Sequence, residues 1–219
     1  ALGSRFLGAG QPLVYVGWDE TALWVGARMP LPPGYRARAQ VTDRDGKVWQ
    51  DDCIEVHVDP QHSHATNYQF VVNALGTTLD ALGGDPSHNP QWLAAAGDEP
   101  GGWSCELSIP WEAMQTSRPS AGQVLGLNIA VNSSSLGGIL SWSPVLRALH
   151  EPARYGHLLL ADSLAAGVLE FSSADPGHLR ARIVGTGEAL IRATLSARDA
   201  QGREQELSVD ATALEAPGE

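Results

Sequence analysis

Short runs of β-branched and aromatic residues, bounded by glycine or proline, constrain the fold of this chain more than any other feature. Almost no segment keeps apolar residues three and four positions apart over several turns, as an amphipathic helix would. The sequence therefore predicts an all-β protein, with 24 glycines and 14 prolines marking its turns. The runs expected to form strands are Leu13 to Trp18, Leu23 to Met29, Cys53 to Asp59, Tyr68 to Asn73, Gly102 to Ile109, Val124 to Asn132, Gly138 to Trp142 and Tyr155 to Leu160.

Eight strands within residues 1–161 suit a sandwich of two antiparallel sheets. One helical turn is expected, at Pro110 to Gln115. Residues 162–219 read as a separate, short β-rich segment, which we interpret as a truncated immunoglobulin-like domain; addition of its strands to the first sheet pair is the alternative. A hairpin is predicted across Ala200 to Gly202. The four alternating runs of this segment are Val168 to Ser173, Leu179 to Val184, Leu190 to Arg198 and Gln205 to Ala211.

The charge of the chain restricts its partners. Fourteen Lys and Arg residues against 25 Asp and Glu residues give a net charge of -11, which repels nucleic-acid phosphates and anionic lipid surfaces. No apolar run approaches the roughly 20 residues that a membrane span needs. The chain starts without methionine, so we expect a processed protein or a piece of a longer one, and the missing leader does not argue against export.

Motifs for enzymatic chemistry are missing from the sequence. It contains no nucleophile elbow, P-loop, zinc-protease helix or glycine-rich dinucleotide turn. Glu106 and Glu112 could imitate a glycosidase pair, but we expect one on the outer face of a strand and the other in a turn. Cys53 is expected to face away from the core, whereas Cys105 shares a face with Leu107 and Ile109, which does not favour a disulfide. The sequence therefore favours a protein that binds rather than catalyses.

Seven blocks resemble a family 9 carbohydrate-binding module in order and spacing. The resemblance runs from about Leu13 to Ala161 and implies a β-sandwich without catalytic activity. It also implies a sugar slot between aromatic side chains and, often, structural calcium. The blocks are "YVGWDETALWVGARM", "VWQDDCIEVHVDP", "NYQFVVNALG", "GGWSCELSIPWEAM", "GQVLGLNIAVN", "LSWSP" and "EPARYGHLLLA".

A sugar ring offers an apolar face and an equator of hydroxyls, so a site needs an aromatic plate and convergent polar groups. Trp49 can supply the plate, and the Glu55 carboxylate can accept hydrogen bonds from hydroxyls. The resemblance adds Asn73, while Asn128 and Asn132 lie on the strand that supplies further polar contacts. His57 alternates with Glu55 and is expected to line the same groove.

Calcium is predicted at Asp51, Asp52 and Asp59, mostly from the resemblance, since hard cations prefer several oxygen ligands. Turn and capping roles for the same aspartates are the alternative. Two further histidines, His62 and His64, follow in a loop, but with His57 their spacing fits no standard zinc pattern.

Three positions depart from the family pattern. Leu149 stands where a second stacking tryptophan is expected, Val71 replaces an arginine, and Ala130 replaces a glutamine. We therefore keep two functional alternatives. One is a structural or interaction spacer that has lost its slot, and the other is a haem-binding sandwich using Met29 or Met114. The leading prediction is a carbohydrate-binding module, secreted, periplasmic or on the cell surface, joined to other domains of a larger glycan-processing protein.

Overall fold

Ten strands between residues 12 and 160 of the computed structural model form two antiparallel sheets. The structure describes residues 12–160 and, further along, the backbone of four more strands. The ten strands are β1 Leu13–Trp18, β2 Ala22–Pro30, β3 Cys53–Asp59, β4 Tyr68–Asn73, β5 Thr78–Leu82, β6 Leu93–Glu99, β7 Gly102–Pro110, β8 Val124–Ser133, β9 Gly138–Ser141 and β10 Gly156–Leu159. The later four are β11 Val168–Asp175, β12 His178–Val184, β13 Ile191–Arg198 and β14 Glu204–Ala211.

The strands divide into two sheets of different size. Sheet A has the order β1-β2-β7-β6. Sheet B has the order β10-β8-β3-β4-β5, and β9 pairs with the same edge of β8 as β10, further along that strand. Strand β3 is therefore central in sheet B, between β8 and β4.

Alternation along the central strands places one set of side chains in the sandwich core. Ile54, Val56 and Val58 of β3 are fully buried there and join a cluster that includes Val25 and Leu107 of sheet A. Full burial of such a side chain stabilises the fold by about 1.5 to 3 kcal/mol relative to exposure. The other side of β3 is buried as well, although it carries Glu55 and His57. Something outside the sandwich must therefore cover sheet B.

All eight strands expected in residues 1–161 are present, with ends shifted by at most one residue. The helical turn is a 3-10 helix at Trp111–Met114. Two strands were missed, β5 and β6. The β6 segment "LAAAGDE" is rich in residues that strands disfavour, so pairing with β7 overrides its local preference.

The later strands pair as two antiparallel ribbons, β11 with β12 and β13 with β14. The pairing of β13 with β14 is the one that the predicted hairpin requires. The turn of that hairpin lies outside the described residues, and so does the predicted boundary at Asp162 to Gly167. The division into domains stays a prediction. Within the described residues, no helix is long and apolar enough to cross a membrane.

The two cysteines lie on different sheets and are not bridged. Cys53 is buried on the outer side of sheet B, whereas Cys105 is buried in the sandwich core. The sequence expectation that they occupy different environments is confirmed.

Candidate functional site

The outer face of sheet B carries most of the predicted sugar-binding residues, with Glu55, His57 and Asn128 at its centre. Glu55 of β3 lies between Val71 of β4 and Ala130 of β8 in the strand register. These two neighbours are positions where the family pattern expects long polar side chains. Glu55 is therefore flanked by apolar residues on both sides.

The next row of outward-facing side chains across β4, β3 and β8 is fully polar. His57 of β3 pairs with Gln69 of β4 and with Asn128 of β8. We call Glu55, His57, Asn67, Gln69 and Asn128 the polar layer; all five are buried.

The chain itself covers the polar layer with residues 143–155, which we call the cover. Val145 and Leu149 of the cover pack on Ala130 in a small buried apolar cluster. His150 Nε2 lies 3.0 Å from Gln69 Oε1. The Tyr155 hydroxyl lies 2.6 Å from Asn67 Oδ1 and 3.0 Å from the Leu149 carbonyl oxygen. Leu149, the predicted departure from the family, thus helps to close the face.

The cover is shaped by one carboxylate of its own. Glu151 accepts hydrogen bonds from three successive backbone N–H groups, those of Leu146, Arg147 and Ala148. These bonds, the one from Leu146 first, hold the pKa of Glu151 below its usual value. The loop therefore has a defined conformation over the polar layer.

Hydrogen bonds within the polar layer are incomplete. Glu55 Oε2 accepts a bond from Gln69 Nε2 at 2.8 Å, and His57 Nδ1 lies 3.0 Å from Asn67 Oδ1. Three buried nitrogen atoms have no hydrogen-bond partner: His57 Nε2, Asn67 Nδ2 and Asn128 Nδ2. Ordered water commonly satisfies such groups in enclosed polar regions.

Asn73 has a structural role in this arrangement. Its Nδ2 donates to the Val41 carbonyl oxygen and to Asp51 Oδ2, both at 2.9 Å, and its Oδ1 accepts from the backbone N–H groups of Leu75 and Thr77. All of its hydrogen-bonding positions are used inside the protein. A sugar contact by Asn73 would require breaking these bonds.

Trp49 differs from the other predicted sugar-binding residues because it is exposed. It lies in a 3-10 turn, Val48–Gln50, and 45% of its surface is accessible. Asn132 Nδ2 donates to its carbonyl oxygen at 3.0 Å, and the Arg38 guanidinium donates to the carbonyl oxygen of Gln50. Trp49 is thus an exposed aromatic residue whose backbone is held at one end of the outer face of sheet B.

The three predicted calcium ligands do not converge. Asp51 Oδ2 accepts from the backbone N–H groups of Gln40 and Val41, and Asp52 accepts from those of Arg38 and Ser134. Asp59 lies at the opposite end of β3. Among the residues that the structure describes, no three His, Cys, Asp or Glu side chains are arranged to hold a metal ion. The arrangement matches the capping alternative, and calcium stays a prediction without support from this geometry.

The histidine loop after β3 forms a separate feature, held by the buried Asp59. Asp59 accepts hydrogen bonds from the Ser63 hydroxyl and from the backbone N–H of His64. His62 lies beside His64 and beside His157 of β10, with its Nε2 at 2.6 Å from His157 Nδ1. Burial and the two neighbouring imidazoles lower the pKa of His62.

Sequence reasoning missed the residues that close the site. Gln69 had a usable signal, because it alternates with Val71 and Asn73 on a strand that was correctly predicted. His150 and Tyr155 had none, since nothing local indicates that a loop 80 or more positions later folds back onto Gln69 and Asn67.

Comparison with known proteins agrees with this architecture. Residues 14–163 match the family described as carbohydrate family 9 binding domain-like. A crystal structure of a protein from Bacteroides uniformis ATCC 8492, described as a "putative carbohydrate-binding protein", is similar with a TM-score of 0.52 and 23% identity, over 68% of this chain and 85% of that one. At this identity the likeness concerns the fold. No curated protein sequence matches the chain.

Proposed function

Because the chain belongs to the carbohydrate family 9 binding domain-like family, we propose that it is a non-catalytic module that binds carbohydrate through the outer face of sheet B. The observation that carries the proposal is Trp49, a half-exposed tryptophan whose backbone carbonyl accepts a hydrogen bond from the Asn132 side chain of that face. An exposed aromatic ring can stack on the apolar face of a pyranose, and the neighbouring polar groups can bind its hydroxyls.

Glu55, His57 and Asn128 have a secondary place in this proposal. Their side chains are chemically suited to hydroxyl groups, but the cover separates them from solvent. They would reach a ligand only if residues 143–155 moved. Weak binding dominated by stacking on Trp49 is therefore the expected behaviour, with dissociation constants of tens of micromolar to millimolar.

We also propose that the module acts as part of a larger exported glycan-processing protein, in the periplasm, outside the cell or on its surface. The support is the family resemblance and the net charge of -11, which disfavours nucleic acids and anionic membranes as partners. No calcium ion is required by this proposal.

Affinity electrophoresis tests the proposal. The protein migrates in native gels cast with xyloglucan, galactomannan, mixed-linkage β-glucan or arabinoxylan, and we expect at least one to retard it. Trp49→Ala should weaken that retardation by about threefold to tenfold, the range of aromatic contacts. Trp142→Ala is the matched control, since Trp142 is 39% exposed and its ring packs against Gly156. Normal folding of both variants, followed by equal retardation, would contradict the role of Trp49.

A structural or interaction spacer is the second candidate. Val71, Ala130 and Leu149 favour it, because these residues replace ligand-binding types and two of them close the face. Lack of retardation on the whole panel would support this candidate. The haem alternative is disfavoured because Met29 and Met114 are both packed in the sandwich core.

A further inference from the structure

The outer face of sheet A contains an open trough of about 410 Å³ that the proposed function does not use. Residues of all four strands line it, and its volume is within the usual range of small-molecule sites, about 300 to 1,000 Å³. It lies on the sheet opposite the one that carries Trp49. Its floor, walls and charge each bear on what could bind there.

Small residues form the floor of the trough. The small residues are Gly26, Ala95 and Gly97. Gly26 and Ala95 lie in one row across the four strands, together with Tyr15 and Glu106, and Gly97 lies in the next row. A Cβ atom at Gly97 would meet nothing within 4 Å, and one at Gly26 would meet only Tyr15 Cβ, at 4.0 Å. Neither glycine has a positive φ, so neither is required by the backbone conformation. The missing side chains keep the floor open.

Two exposed aromatic side chains lie on the β1 and β2 side of the trough. Tyr15 is 60% exposed and lines the trough, and Trp24 is 44% exposed on the same face, one row further along the strands. Diagonal neighbours of this kind are about 7 to 8 Å apart. Trp24 Nε1 donates to Asp19 Oδ2 at 2.9 Å, which fixes the indole. Two aromatic rings are thus presented on one sheet face.

The charged groups of the trough exclude some ligands. Arg28 Nε binds Glu99 Oε1 at 3.0 Å, so the guanidinium already has an anionic partner, and Glu106 adds a further carboxylate. With one positive and two negative side chains among the lining residues, and a chain of net charge -11, an anionic ligand would be repelled. A neutral ligand with hydroxyl groups could bind to the carboxylates and stack on the aromatic side chains.

We propose that this trough is a second carbohydrate-binding surface, which takes a short segment of a neutral polysaccharide with Tyr15 as the stacking side chain and Glu106 as a hydroxyl acceptor. The inference rests on the proposed function and extends it, because the two surfaces lie on opposite sheets and act independently. Two separate surfaces on one module would raise the avidity for long chains that can reach both.

The test uses affinity electrophoresis with the same four neutral polysaccharides, and polygalacturonate as the anionic comparison. All variants are made in the Trp49→Ala protein, in which any remaining retardation measures binding at the trough. Adding Tyr15→Ala removes the stacking side chain, and adding Gly26→Val fills the floor without removing any polar group. The controls are Tyr35→Ala, which is also 60% exposed but does not line the trough, and Gly17→Val, at a position on the same strand as Tyr15 that does not line it.

We expect residual retardation by a neutral polysaccharide in the Trp49→Ala background. Tyr15→Ala should weaken it by about threefold to tenfold, and Gly26→Val should abolish it. The control variants should leave it unchanged, and polygalacturonate should not retard the protein. Residual retardation that both trough variants leave intact, or no residual retardation at all, would overturn the trough and leave the Trp49 proposal standing. If the wild-type protein binds none of the polysaccharides, the proposed function fails and the trough with it.

Discussion

The two outer faces of the sandwich differ most in how accessible their side chains are to solvent. Sheet B presents a glutamate, a histidine and several amides at its centre, yet residues 143–155 bury them. Sheet A presents fewer polar groups, but its floor of small residues leaves Tyr15 and Glu106 open to solvent. Side chains suited to binding sugars therefore do not by themselves make a site. Whether such side chains can bind a ligand depends on whether other parts of the chain cover them.

Two apolar residues on sheet B, Ala130 and Val71, belong to separate clusters that close its outer face. Ala130 leaves room for Val145 and Leu149, and Val71 joins Val48 and Leu79 in a second apolar cluster. Longer polar side chains at these positions would project into the space that the apolar residues now fill. The apolar residues at positions 71 and 130 therefore go together with the enclosure of this face.

Substitution of Asn73 should have the largest effect on the covered face. Asn73→Ala removes four hydrogen bonds and leaves the Val41 carbonyl and Asp51 with fewer donors. We expect the free energy of unfolding to fall by about 3 kcal/mol, measured by urea denaturation. Glu106→Ala on the open face is the comparison and should change it by less than about 0.5 kcal/mol. Similar values for the two variants would show that the faces do not differ as described.

The sequence predicted the architecture well because alternation in strands such as β3 reports directly on burial. It failed for β6, whose alanines, glycine and acidic residues have no local preference for a strand. For the site, it identified Trp49 as an exposed aromatic residue near polar groups. It could not show that Glu55 and Asn73 are enclosed, because that depends on contacts with distant loop residues such as His150 and Val41.

Thiol reactivity should distinguish the outer side of sheet B from the sandwich core. Burial raises the pKa of Cys105 to about 12 and raises that of Cys53 as well, so neither should react readily with an alkylating reagent near neutral pH. Cys53 lies on the outer side, packed with Val48, whereas Cys105 lies in the core. Local opening requires less free energy than global unfolding. In single-cysteine variants, Cys53 should therefore react faster than Cys105, and the reverse order would contradict the account.

Histidines around sheet B should make stability depend on pH. Burial and the neighbouring His57 lower the pKa of His150, and burial and His157 lower that of His62, both from 6.5. The unfolded chain then takes up protons at a higher pH than the folded one. The free energy of unfolding should fall as the pH drops below about 6.5. His150→Gln and His62→Gln should each flatten this dependence in melts between pH 7.5 and 5, and unchanged slopes would rule the two histidines out.

Calcium should have the smallest effect. Asp51, Asp52 and Asp59 already accept hydrogen bonds from backbone N–H groups at separate places, so the fold does not need an ion to satisfy them. We expect equal melting temperatures in EDTA and in millimolar calcium. A higher value in calcium would reveal an ion that stabilises the folded state by mass action.

Mapping of the bound surface tests the central claim most directly. Amide chemical shifts of the wild-type protein would be followed by NMR during titration with oligosaccharides prepared from the polysaccharide that retards it most. The account predicts shift changes in the Val48–Gln50 turn and at Asn132, and a second set along β1 and β2 around Tyr15 and Gly26, with the polar layer beneath the cover unchanged. Changes confined to the polar layer and the cover, or no changes at all, would contradict it.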